Sequence, residues 1–144
     1  FTCDDRELKR NKPSYTLDTL DEISADYPQY QLYFFIGMDS LFNFTHWYRW
    51  KEILTRCHLV VSARPNYSIK DMPPETQALL AQHQVETIAS LKSYQSGKIY
   101  LNHHTHFSIS STDIRQHLHQ KKRFHDIPRY IAQYIDKHQL YRSA

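Results

Sequence analysis

The chain has 144 residues, 40% of them hydrophobic and 14% aromatic, which suits one packed domain and excludes wholesale disorder. Its net charge of +3 is too small and too dispersed for a nucleic-acid binder. No apolar run approaches the roughly 20 residues of a bilayer span, so neither membrane nor nucleic acid is an expected partner.

In chain order, Phe1-Thr2-Cys3 reads like a strand entered part-way, and the charged stretch 4–13 as a surface loop ending at Pro13. Leu17, Leu20 and Ile23 mark one face of a helix that Ser14 or Thr16 would cap and Tyr27-Pro28 would end. Leu32-Tyr33-Phe34-Phe35-Ile36, closed by Gly37, reads as a strand buried on both faces. An aromatic-rich helix is predicted over His46 to Arg56, then a buried strand at Leu59-Val60-Val61 stopped by Arg64-Pro65. A helix follows from Pro73 to about His83, with proline in its first turn. Lys98-Ile99-Tyr100-Leu101 is the next strand, and two helices close the chain, one capped by Ser110 or Ser111 and one starting near Pro128. Alternating strands and helices predict a single α/β domain over residues 1–144 with a mainly parallel sheet. In such sheets ligands sit beyond the carboxyl ends of the strands, where Gly37–Ser40, Ala63–Asn66 and Phe107–Thr112 fall.

Glycine is scarce, with only Gly37 and Gly97, so a glycine-rich phosphate loop is missing. Ile109-Ser110-Ser111-Thr112-Asp113-Ile114-Arg115 offers a substitute: three hydroxyl residues at a helix start, with Arg115 one turn in. The plainer reading is a serine cap and a surface arginine. At Gly37-Met38-Asp39-Ser40, Asp39 can accept from ribose hydroxyls or an adenine amine, or it can cap the next segment. Read from the residues alone, Trp47 and Trp50 are core aromatics. The histidines at 103, 104, 106, 117 and 119 complete no tetrahedral set, so no metal site is expected. Cys3 and Cys57 lack C-x-x-C or ligand spacing, which predicts free thiols and a cytoplasmic protein.

Four ordered segments together resemble the bacterial nicotinate-mononucleotide adenylyltransferases of the nucleotidylyltransferase superfamily. Ile109–Arg115 is similar to its I-S-S-T-x-[IV]-R motif, Gly37–Ser40 to G-x-D-S, Ser14–Leu20 to S-Y-T-x-x-T-L, and Phe44–Trp50 to its W-x-x-[WY] helix start. The resemblance implies a Rossmann-like nucleotidyltransferase fold and adenylyl transfer from ATP, with Mg²⁺ and no tightly bound cofactor, to nicotinate mononucleotide. It implies a nicotinate pocket of Thr16, Trp47 and Tyr48. It also implies ATP contacts from Gly37, Asp39, Ser40, Ile109, Ser110, Ser111, Thr112 and Arg115. Arg64-Pro65 resembles the family's R-P-G-Y element, with Asn66 replacing glycine, so Arg64 either faces phosphate or braces a loop.

The family's G-G-[TS]-F-D-P-x-H-x-G-H motif does not occur in these residues. The expectation is therefore no catalytic residue in this chain, no activity from it alone, and an exposed apolar surface through which copies would associate as a homo-oligomer. Two alternatives remain at this point: a non-catalytic nucleotide-binding or assembly module, and a pantetheine-phosphate adenylyltransferase-like enzyme. The latter shares I-S-S-T but not S-Y-T or the tryptophan segment.

Overall fold

The structure is a computed structural model that describes residues 2–63, 69–103, 111–120 and 127–141. The chain divides into two compact units, residues 1–106 and 107–144.

In the first unit, the expected strand at the start is absent from the described residues, since Thr2–Asp5 has no regular structure. The charged loop that follows is tied to the first helix, α1 (Thr16–Asp26). Arg6 bridges Asp4 at 2.8 Å and Asp26 at 3.0 Å, while Arg10 reaches Glu22 at 2.8 Å and Thr19 Oγ1 at 2.9 Å. Individually such pairs contribute little, but several on one helix fix the loop's course. Leu17 and Leu20 form the buried face of α1. The expected Ser14 or Thr16 cap is not formed: Tyr15 occupies the N-cap in extended conformation, and no side chain accepts from the helix amides. Ser14 Oγ donates instead to the Glu7 carbonyl at 3.5 Å.

Strand β1 (Leu32–Gly37) follows. It is not buried on both faces as predicted: Phe35 is 71% exposed. The cause is position, because among the described residues β1 lies at the edge of the sheet and its side chains alternate. Leu32, Phe34 and Ile36 face the core, whereas Phe35 lies on the opposite face. A short helix α2 (Met38–Phe42), which the periodicity did not suggest, packs Met38 and Leu41 inward.

The helix expected over His46–Arg56 is broken in two. Phe44–His46 is a single 3₁₀ turn, Trp47 is extended, Arg49 is left-handed (φ 50, ψ 41), and α3 runs only from Trp50 to Arg56. Strand β2 (Cys57–Ser62) is buried throughout Cys57–Val61, since it lies between β1 and the strand at Ile99–Asn102. Helix α4 (Pro74–His83) buries Thr76, Leu79 and Leu80. The two-residue β3 (Gln84–Val85) and α5 (Ile88–Lys92), capped by Thr87 Oγ1 on Ser90 N–H, are too short for a periodic signal. Strand β4 (Ile99–Asn102) completes a parallel sheet of order β1-β2-β4-β3. In the second unit lie α6 (Ser111–His119) and α7 (Arg129–Lys137). No helix among the described residues is long and apolar enough to cross a membrane.

Two buried groups on β2 give direct tests. Burial pushes the Cys57 thiol up to about 12, whereas Cys3 is exposed. Ellman's reagent is therefore expected to titrate Cys3 in the native protein and Cys57 only after denaturation; rapid labelling of both would contradict this packing.

The fully buried His58 accepts the Lys98 N–H on Nδ1 at 3.2 Å. Its proton therefore sits on Nε2, which donates to the Tyr94 carbonyl at 2.9 Å. Burial lowers the His58 pKa, against weaker support from the Nε2 bond to the Tyr94 carbonyl. Because the native pKa is depressed, the unfolded state binds more protons in the window just below 6.5. Stability from this group is complete above the unfolded value and is lost as pH falls through the folded one. Urea midpoints of wild type should fall more between about pH 7 and about pH 5 than those of His58→Gln. Equal slopes would remove His58 from the acid response.

Candidate nucleotide site

The register aligns the carboxyl ends of three strands. Gly37 pairs with Ser62, and Ser62 with Asn102. The Ala63 N–H extends the ladder to the Asn102 carbonyl at 3.0 Å. Gly37, Asp39 and Ser40 thus sit together where β1 turns into α2 at the ligand-binding end of a parallel sheet.

Gly37 has an ordinary φ of −84, so its value is space rather than conformation. A Cβ there would stand 2.5 Å from Asp39 Oδ1. Asp39 is exposed in the first turn of α2, whose N-cap is Gly37, and no side-chain cap hydrogen bond is formed there. In Gly37→Ala the carboxylate must move. Because it is the end of a flexible side chain, the fold should keep its melting temperature. If Asp39 accepts from adenosine, the KM for ATP rises about tenfold, the value of one charge-assisted hydrogen bond. Unchanged ATP kinetics would take Asp39 out of the nucleotide site.

The second feature is a cavity of about 240 Å³ lined by Ser14, Tyr15, Thr16, Trp47, Tyr48 and Ile53. It brings together all three residues predicted for the nicotinate pocket, drawn from the start of α1 and the turn before α3. Ile53 is fully buried and belongs to the core. Trp47 is half-buried and held from behind by two rings, Phe44 at 5.4 Å and Phe34 edge-on at 6.2 Å. Trp50 meets the same Phe44 at 6.0 Å and packs against the core, as the sequence suggests. On the other side Tyr15 and Tyr48 approach ring to ring at 4.4 Å. With no side-chain cap on α1, the first amides of that helix have no side-chain acceptor, and the dipole places partial positive charge there. An aromatic ring and helix-start amides at one cavity suit a flat anionic ring.

The S-Y-T segment contains Tyr15 and the Phe44–Trp50 segment contains Phe44 and Arg49, but the resemblance assigns none of the three a role. Tyr15 stands beside Thr16 in the motif, which was the available clue.

Of the remaining predicted residues, Ser111, Thr112 and Arg115 lie exposed on the first turns of α6 in the second unit. Ile109, Ser110 and Arg64, like His104 and His106, lie outside the described residues. A larger groove of about 960 Å³ between α3 and α4, lined by Trp50, Leu54, Leu79 and Gly97 among others, contains none of the motif residues except Trp50.

Residues 1–117 match the model of the cytidylyltransferase-like family. Over 143 residues the chain is 43% identical to a probable nicotinate-nucleotide adenylyltransferase of Psychromonas ingrahamii, covering 99% of this chain and 66% of that protein. The probable nicotinate-nucleotide adenylyltransferase of Serratia proteamaculans is 44% identical, with the same coverages, and that of Pectobacterium atrosepticum 43%, with 68% of its length covered. The chain thus spans about two thirds of the length of these relatives. Among solved structures, the Plasmodium falciparum nicotinic acid mononucleotide adenylyltransferase complexed with APC superposes with a TM-score of 0.61 at 20% identity. That match covers 91% of this chain and 60% of that one. It establishes a Rossmann-like nucleotidyltransferase fold, and the sequence identities establish descent. The chain belongs to the cytidylyltransferase-like family, among its nicotinate-nucleotide adenylyltransferases.

Proposed function

We propose that the protein carrying this chain transfers the adenylyl group of ATP to nicotinate mononucleotide in NAD biosynthesis. A phosphate oxygen of the mononucleotide attacks the α-phosphorus of ATP, the bond from that phosphorus to the β-phosphate bridging oxygen breaks, and pyrophosphate leaves. The products are nicotinate adenine dinucleotide and pyrophosphate. Mg²⁺ bound with ATP would supply charge neutralisation on the leaving pyrophosphate.

The observation that carries this reading is the Tyr15–Thr16–Trp47–Tyr48 cavity at the start of α1. Trp47 offers its face to the pyridinium, and amides near Thr16 and Tyr48 receive the ring carboxylate. Asp39 takes the adenosine part, and Ser110, Ser111, Thr112 and Arg115 take ATP phosphates. Arg64 serves either phosphate or its loop. Its relatives' names support the same substrates. Two free cysteines fit a reducing cytoplasm.

The test is pyrophosphate release from Mg·ATP with nicotinate mononucleotide or 4′-phosphopantetheine as acceptor. Release with the first acceptor is expected. Release with the second alone would transfer the protein to another branch, and release with neither would leave a binding module.

A further inference from the structure

Among the described residues of the first unit, Arg49 is the one non-glycine residue with positive φ. The left-handed region costs an ordinary residue stability that glycine would not lose. An arginine retained there needs a reason, and strained residues of this kind concentrate at functional sites. The turn itself accounts for the backbone: Trp50 N–H donates to the Trp47 carbonyl at 3.2 Å and Glu52 N–H to the Arg49 carbonyl at 2.9 Å. It does not account for the side chain.

The side chain spans two partners. Its Nε donates to Glu52 Oε1 at 2.7 Å and a terminal nitrogen donates to Glu52 Oε2, a fork that only a guanidinium can make. Its central carbon lies 5.9 Å from the centroid of the Tyr48 ring. The Tyr48 ring in turn meets Tyr15 at 4.4 Å. Glu52, on α3, anchors this sequence of guanidinium, Tyr48 and Tyr15. Tyr48 is 49% exposed and Tyr15 45%, so neither ring is held by burial alone.

We infer that Arg49 is a positioning residue for the pyridine nucleotide: braced on Glu52, it holds the Tyr48 ring against Tyr15 and so fixes the mouth of the cavity. This rests on the nicotinate reading of that cavity. Arg49 acts through Tyr48 rather than on the substrate.

Steady-state kinetics on wild type, Arg49→Gly and Glu52→Gln separate the possibilities. Glycine accepts φ 50 without strain, so Arg49→Gly should keep or raise the melting temperature. Its KM for nicotinate mononucleotide should rise about fivefold, with kcat and the KM for ATP unchanged. Glu52→Gln breaks the fork but leaves the arginine charge; its KM should rise in the same direction. A lower KM in Glu52→Gln would mean that bare charge attracts the anionic substrate, and would overturn the positioning role, as would unchanged KM in both variants. Failure of wild type to use nicotinate mononucleotide would reject the cavity's assignment instead. The bracing of Tyr48 is read separately on the ligand-free protein: ring signals of Tyr48 in tyrosine-labelled Arg49→Gly should move to averaged positions, and unchanged signals overturn it.

Discussion

Phe44→Ala is expected to cost about 3–5 kcal/mol of stability, the usual loss when a fully buried aromatic ring is deleted. Phe44 is 0% exposed, and its ring touches both Trp47 and Trp50. It therefore fills the space beneath the two indoles, in the turn that joins α2 to α3. Deleting it leaves a cavity that the short turn closes only by moving Trp47 or Trp50, so the site loosens before the sheet does. A loss of this size is a large part of a domain's total stability. Urea unfolding reads it directly. Phe44→Leu should lose much less, because most of the volume remains. Equal stability of Phe44→Ala and wild type would show that the indoles are held by something else.

The second large effect is on binding. In Trp47→Ala the KM for nicotinate mononucleotide should rise about 10- to 100-fold, the range expected for losing one aromatic face from a stacked heterocycle. The KM for ATP should change little, since Asp39 and Gly37 lie in a different turn. Trp47→Phe keeps a face and should recover most of the loss. The specificity of this pattern matters, because a general loosening raises both KM values. Phe34 and Phe44 pack on Trp47 from behind, so removing the indole exposes their edges to the cavity. A melting temperature measured alongside separates that packing loss from lost stacking.

What could be read from the sequence follows from which forces act locally. The apolar runs at Leu32–Ile36 and Leu59–Val61 and the periodic face of Leu17 and Leu20 are local signals, and each became the predicted element. Thr16, Trp47 and Tyr48 were named for one pocket, through motif resemblance rather than periodicity, and they do line one cavity. Three things were not legible. Phe35 reads as buried because a single strand does not announce that it lies at a sheet edge. The His46–Arg56 segment reads as one helix because its apolar spacing is helical, while the break lies at extended Trp47 and at left-handed Arg49, a conformation that propensity would not place at an arginine. Tyr15 and Phe44 acquire their roles from rings distant in the chain, or from the turn geometry that this break creates.

The central claim is that the cavity between the start of α1 and the turn before α3 is the pyridine site. A crystal structure of the protein with nicotinate mononucleotide tests it most directly. The ring is expected against Trp47, between it and the Tyr15–Tyr48 pair, with its carboxylate on the amides at Thr16 and Tyr48. A ring seated instead in the groove lined by Trp50, Leu54, Leu79 and Gly97, with the Trp47 cavity empty, would contradict it.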